Sequence, residues 1–157
     1  MSDEKTFIRI TPKGNQSKNE YRLYTDKKIS PVEYAELMAS VGWGVKQDYD
    51  RDKIKKSIES YPFVAHIRNH EGQLVGYVSA FSDGAFSTFI GELVVHPDHQ
   101  GRGLGRKLLN AVEKRFEGVP VYATVLASEK EFFIRQGYSG SKRELIVVTK
   151  RNRKGCR

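Results

Sequence analysis

Residues 90–116 read IGELVVHPDHQGRGLGRKLLNAVEKRF, and this stretch decides the fold. An apolar, β-branched run, Leu93, Val94 and Val95, is stopped by Pro97. A loop carrying Gly101, Gly103 and Gly105 then leads directly into a helical pattern. The order is strand, glycine loop, helix. The first N–H groups of a helix have no partner inside it and need an acceptor. Glycines let several of these groups converge and let a phosphate approach without a Cβ in the way, while the helix dipole adds partial positive charge. Arg102, Arg106 and Lys107 bring full charges to the same end, so the segment is expected to take a phosphate-bearing ligand. The helix is supported by periodicity. Leu104, Leu108, Ala111, Val112 and Phe116 share one face, and Lys107, Asn110, Lys114 and Glu117 point elsewhere.

Spacing separates the known phosphate loops. A dinucleotide fingerprint needs G-x-G-x-x-G, but here Arg106 stands in the last glycine's place, and the Lys-Ser/Thr pair of a Walker A loop is absent. What remains is Q/R-x-x-G-x-G/A, present as Gln100, Gly101, Arg102, Gly103, Leu104 and Gly105. This resembles the acetyl-CoA loop of the GNAT superfamily of N-acetyltransferases. LVVHPDHQGRGLGRKLL is similar to that family's central motif throughout. A second family element, a helix with a Phe-Tyr pair followed by Gly-Phe, is matched by Phe132, Phe133, Ile134, Arg135, Gln136, Gly137 and Tyr138, after a strand-like run from Val119 to Leu126. Upstream, Phe63 to Arg68 and Leu74 to Phe81 resemble the hairpin before the cofactor strand. The resemblance covers roughly Pro31 to Lys150.

The expected fold class is α/β of the α+β type, a GNAT-like mixed, mostly antiparallel central sheet flanked by helices. Strands are expected at Thr6–Ile10, Tyr21–Thr25, the hairpin, Thr88–Val95, from Val119, and at Glu144–Thr149. Helices are expected from Ser30, with Pro31 at its first position and Glu33 at its third, over Asp50–Tyr61, after Gly105 and from about Glu129. With 157 residues, one domain over 1–150 and a basic tail over 151–157 are expected. No apolar run suits a membrane span, the charged N-terminus is unlike a secretory signal, and the single Cys156 forms no internal disulfide; a cytoplasmic protein is expected.

The resemblance implies transfer of acetyl from acetyl-CoA to a primary amine. By resemblance the loop amides from Gln100 to Arg106 hold the pyrophosphate, and the backbone of Leu93, Val94 and Val95 pairs with the pantetheine arm. An N–H near Val95 would stabilise the developing oxyanion. An alkylammonium is mostly protonated at neutral pH, so a base is needed, and Glu92 in an otherwise apolar strand is the candidate. The family's Tyr proton donor to the leaving thiolate is Phe133 here; Tyr138, Tyr122 or Ser128 would substitute, or the thiolate leaves unprotonated. Tyr34, Trp43, Tyr49, Phe81 and Phe89 are candidates for an aromatic acceptor pocket, with Trp43 kept as the substrate-binding residue. His66, His70, His96 and His99 lack metal-site spacing, so no metal is expected. The formal net charge of +8, crowded toward RNRKGCR, leaves nucleic acid as an alternative partner. An aminoacyl-tRNA or protein-amine acetyltransferase and a non-catalytic acyl-CoA-binding module therefore stay open beside a small-molecule enzyme, as does a homodimer.

Overall fold

The computed structural model describes residues 20–143 and 145–150. They fall into two compact units, one ending at Thr124 and one starting at Val125. Among the described residues the first unit is a five-stranded sheet in simple sequence order: β1 (Arg22–Tyr24), β2 (Phe63–Arg68), β3 (Leu74–Ser82), β4 (Thr88–Val95) and β5 (Val121–Ala123). Successive strands are antiparallel except for the last pair, where β5 runs parallel to β4. The crossover that makes a parallel neighbour is α3 (Leu104–Arg115), and α1 (Pro31–Ser40) and α2 (Arg51–Ser60) precede the hairpin.

Local chemistry explains the helix starts. Ser30 caps α1 in a reciprocal capping box with Glu33, Pro31 opens the helix, and Asp50 accepts from the amides of Asp52 and Lys53 at the start of α2. The α1 and α2 side of the sheet buries Leu37, Met38, Ile54 and Ile58 against Val64, Tyr77 and Val94. The other side buries Leu104, Leu108 and Val112 of α3 against Ala65, Val78 and Ala80. Each such fully buried leucine or valine is worth about 1.5–3 kcal/mol, so α3, and with it the glycine loop at its start, is fixed to the sheet.

In the second unit α4 (Lys130–Arg135) follows a 3₁₀ turn at Ala127–Glu129. Phe133 is its buried residue, edge-on to Phe132 and Tyr138, and the Tyr138 amide closes the end by donating to the Phe133 carbonyl at 3.1 Å. The strand expected at Glu144–Thr149 is a correction. Residues 145–150 are irregular, and Leu145, Ile146, Val147 and Val148 are exposed. A β-branched run carries propensity, but a strand also needs a ladder partner, and none of the described residues pairs with this one. The run from Val119 yields only Val121–Ala123, because its pairing with β4 ends at Ile90. Thr6–Ile10 and the basic tail lie outside the described residues.

Glu33 ties α1 to the sheet. Besides its capping role it pairs with Arg68 at the end of β2. Hydrogen bonding from Arg68, helped by Ser30 and opposed by burial, lowers the Glu33 carboxyl to about 2. A folded value below the unfolded one, about 4.3, means this carboxylate's contribution is complete above about pH 5 and is lost as pH falls through about 2. Glu33→Gln is therefore expected to be less stable than the parent at neutral pH, with the gap narrowing between about pH 5 and pH 2 in urea midpoints. A gap that stays constant across that window would remove the Arg68 pair as its cause.

Candidate active site

β4 is the spine of the site. Its register with β3 runs Gly76↔Val95, Tyr77↔Val94, Val78↔Leu93 and Ser79↔Glu92, then jumps to Ala80↔Ile90, so Gly91 bulges out of the ladder. A Cβ at position 91 would collide with the Tyr61 hydroxyl and lie 2.8 Å from Ser79 Oγ, so only glycine lets those groups come so close. The extra residue also changes parity. Phe89 and Glu92, three apart, share the α1/α2 side of the sheet with Val94, while Ile90, Leu93 and Val95 pack toward α3.

Beyond Ile90, β4 has no strand on its β5 side among the described residues: the parallel pairing comprises Thr88↔Val121, Phe89↔Tyr122 and Ile90↔Ala123. The His96 amide donates to the Val75 carbonyl at 2.9 Å, toward β3. Alternate residues of a strand direct their polar groups to the same side, so Leu93 and Val95 turn their N–H groups the other way, into the gap. The Val95 carbonyl is already engaged by the Gln100 side chain at 3.0 Å, which fastens the loop to the strand end.

That loop turns at Pro97–His99, where the Gln100 amide donates to the Pro97 carbonyl at 3.2 Å. Gly101 and Gly103 then take left-handed backbone conformations, with φ of 72° and 75°. No side chain caps α3, and the first bond at its start is Lys107 N–H to Gly103 C=O, 3.1 Å. The amides of Leu104, Gly105 and Arg106 ahead of it have no acceptor within the helix, at the positive end of its dipole. Leu104 is buried and anchors the turn; Arg102 and Arg106 are exposed beside it. The arrangement fits a phosphate at the helix start and an extended, amide-bearing chain along the free β4 edge.

Glu92 is half-buried at the bulge. Ser79 Oγ donates to its carboxylate and accepts from its amide at 3.1 Å. The hydroxyls of Tyr34 on α1 and Tyr61 after α2 approach the same carboxylate, and Tyr77 of β3 lies close enough to feel its charge. Burial first, and then that negative charge, pushes all three phenols above their usual range, so they stay protonated. The Tyr77 hydroxyl is fully buried and has no hydrogen-bond partner among the described residues. Sequence reasoning picked Glu92 but missed Ser79, Tyr61 and Tyr77. The one local signal was a glycine inside a strand pattern, the mark of a bulge or a close approach.

The five candidate pocket aromatics separate. Tyr34 is core, 8% exposed, and meets Tyr49 and Tyr77 edge-on. Phe81 and Phe89 belong to an open row, Tyr61, Phe81, Phe89, Tyr122, with centroids 6.4, 5.4 and 5.4 Å apart and the last three rings near parallel. Trp43, between Gly42 and Gly44, is half-exposed, and its carbonyl accepts from the Tyr49 hydroxyl; it joins no ring pair among the described residues. The histidines play other parts. His66 is buried, stacked on Tyr24 and bonded to Asp26, and His99 meets the Tyr21 hydroxyl at 2.9 Å. Among the described residues no group of three or more His, Cys, Asp or Glu could hold a metal ion, and no helix is long and apolar enough to cross a membrane.

A sheet that opens beside its fourth strand, with a glycine loop and bare helix start at the opening, can be compared with known proteins. The model of the acetyltransferase (GNAT) family matches residues 29–138. The chain belongs to the GNAT acetyltransferase family and is an N-acetyltransferase. A relative from Porphyra purpurea, the uncharacterized N-acetyltransferase ycf52, is 31% identical over 140 residues, covering 86% of this chain and 76% of that protein. The structure of a probable acetyltransferase from meticillin-resistant Staphylococcus aureus superposes with a TM-score of 0.70 at 16% identity, covering 83% of this chain and 99% of the other. A GNAT family N-acetyltransferase from Escherichia coli, YhbS, in complex with CoA, superposes with a TM-score of 0.60 at 15% identity, over 80% of this chain and 72% of the other. At these identities the structural likeness speaks for the fold, a mixed sheet flanked by helices.

The GNAT loop gives a test that needs no ligand. A Cβ at Gly103 would meet nothing within 4 Å, so only its left-handed backbone resists substitution. Gly103→Ala is expected to lose about 1–2 kcal/mol, and Gly103→Asn less, because Asn tolerates that region. Equal losses for the two in chemical denaturation would show that backbone conformation is not the cause.

Proposed function

We propose that this enzyme transfers an acetyl group from acetyl-CoA to the primary amine of a small molecule, with Glu92 as general base. The observation that carries the reading is that one strand supplies two needs. β4 has a free edge at Leu93 and Val95 on its β5 side and a half-buried carboxylate at Glu92 two residues before the Val94 that packs in the core. The structural relative YhbS was solved with CoA, which supports the same ligand here.

Acetyl-CoA supplies the activated acetyl as a thioester. The amides of Leu104, Gly105 and Arg106, with Gly101 and Gly103 keeping the loop clear, hold its pyrophosphate, and Arg102 and Arg106 add charge at the rim. The Leu93 backbone pairs with the amide-bearing arm, and the Val95 N–H donates to the thioester oxygen as that oxygen gains negative charge. Glu92 takes the proton from the incoming ammonium, directly or through a water, so that a neutral amine attacks. The leaving thiolate, with an ordinary value near 8.5, departs unprotonated or takes its proton from Tyr138, Tyr122 or Ser128, since Phe133 has none to give.

The open aromatic row lies on the Glu92 side of the sheet. Near-parallel rings use their faces on one another and present edges, which accept the face of another ring or an apolar group better than a bare cation. This favours an amine with an apolar or aromatic body over a polyamine, with Trp43 as a wall of the acceptor site.

Two measurements test the reading together. Thermal shift with acetyl-CoA and coenzyme A, but not ATP, is expected to show stabilisation of about 2.7 kcal/mol at a hundred times Kd. Glu92→Gln should keep that shift and lose turnover by about 100-fold or more. A shift absent with both coenzyme A forms would refute the cofactor assignment, and full turnover in Glu92→Gln would refute the base.

A further inference from the structure

The bulge at Gly91 leaves Glu92 paired with Ser79, and one side-chain atom of Ser79 meets both the amide and the carboxylate of Glu92. Register places Ser79 opposite Glu92 and Ala80 opposite Ile90, so β3 offers no backbone residue to Gly91. The Glu92 N–H donates to Ser79 Oγ at 3.1 Å. With a lone pair of that oxygen occupied, its hydrogen is directed outward, and it donates to Glu92 Oε2. Main chain and carboxylate of the same residue are thus fastened to one atom. Ser79 is fully buried, so water has no access to substitute for it.

We propose that Ser79 is a positioning residue for Glu92, holding the carboxylate in one rotamer beside the free edge of β4 through this two-way contact. The inference rests on Glu92 serving as the base. The groups that face this carboxylate are otherwise neutral: Tyr34 from α1, Tyr61 from the segment after α2 and Tyr77 from β3. Among the described residues no lysine, arginine or histidine forms an ion pair with it. A charged carboxylate without a cation depends on its hydrogen-bond donors for both orientation and charge, and Ser79 is the donor whose geometry is locked by the backbone. Tyr61 caps the end of α2 and Tyr34 lies on α1, so neither is tied to the Glu92 main chain. Gly91 is the enabling residue, because a side chain there would push into both Ser79 and Tyr61.

Ser79→Ala removes the contact, and Ser79→Thr keeps the hydroxyl. Thiol release from acetyl-CoA is followed with the fastest acceptor of a primary-amine panel, or with water where no amine reacts faster. Ser79→Ala is expected to lower kcat about tenfold with KM for acetyl-CoA unchanged. Losing a donor to the charged form should also move the acid limb of the pH–rate profile to higher pH. Ser79→Thr should recover most of the rate. In the purified protein without ligand, the Glu92 amide should exchange with solvent at least about tenfold faster in Ser79→Ala than in Ser79→Thr. Combining Ser79→Ala with Glu92→Gln should be no slower than Glu92→Gln alone. A Ser79→Ala enzyme with a lowered melting temperature but the parent kcat and pH profile overturns the positioning role and leaves Ser79 structural. Glu92→Gln at the parent rate overturns instead the base assignment on which the role rests, so the two failures read differently.

Discussion

The parting of β4 from β5 after Ile90 is the constraint on which the site depends. A parallel neighbour reached through a helix pairs with β4 for three residues and then leaves. Among the described residues the amides of Leu93 and Val95 are thereby left without a strand to bond. In a folded protein such groups find an acceptor in water, in a side chain or in a ligand. Here the Gln100 side chain takes the Val95 carbonyl, and the donors face the gap. The helix that makes the crossover also begins at this gap, so its own unbonded amides lie a loop away from those of the strand. The proposed ligand, extended with a phosphate at one end and amides along its length, would meet both sets at once. The two sets of unsatisfied donors are therefore one feature, produced by a single topological event.

The second element of the site is a register fault. Without the bulge at Gly91, strict alternation would place Phe89 and Glu92 on opposite faces of the sheet. With it, the carboxylate and the row of Phe81, Phe89 and Tyr122 share the side covered elsewhere by α1 and α2. Beside the same fault the Glu92 amide donates to Ser79 Oγ, and the glycine leaves room for Tyr61. The phenols of Tyr34, Tyr61 and Tyr77 gather round the carboxylate, and burial first, with the Glu92 interaction second, holds all three above their usual range. Stability and chemistry divide along the sheet. α3 and its leucines hold the loop from behind, and Glu33 and Arg68 fix α1 to the end of β2, both away from the middle of β4.

What the sequence made legible follows the range of each signal. The Ser30 capping box, the Pro97 stop and the glycine loop are written within a few consecutive residues, and the structure places them as read. The family resemblance worked for the same reason, since its motif is one uninterrupted segment. Ser79 was not legible as a partner of Glu92, because thirteen positions separate them and their contact exists through a register set by the whole hairpin. Gly91 was the visible trace of that register. The aromatic candidates divided because residue type alone does not distinguish Tyr34, packed from α1 against the sheet, from Phe89, standing on an open face. The run Leu145–Val148 misled in the opposite direction, having strand propensity with no described strand to pair with.

The central claim is that the free edge of β4 and the start of α3 form one ligand site, and amide hydrogen exchange with and without coenzyme A tests it most directly. Binding there should slow exchange at Leu93, Val95, Leu104, Gly105 and Arg106 together, with β1 and β2 unchanged. Protection confined to other segments, or at the loop amides without those of Leu93 and Val95, would contradict the account.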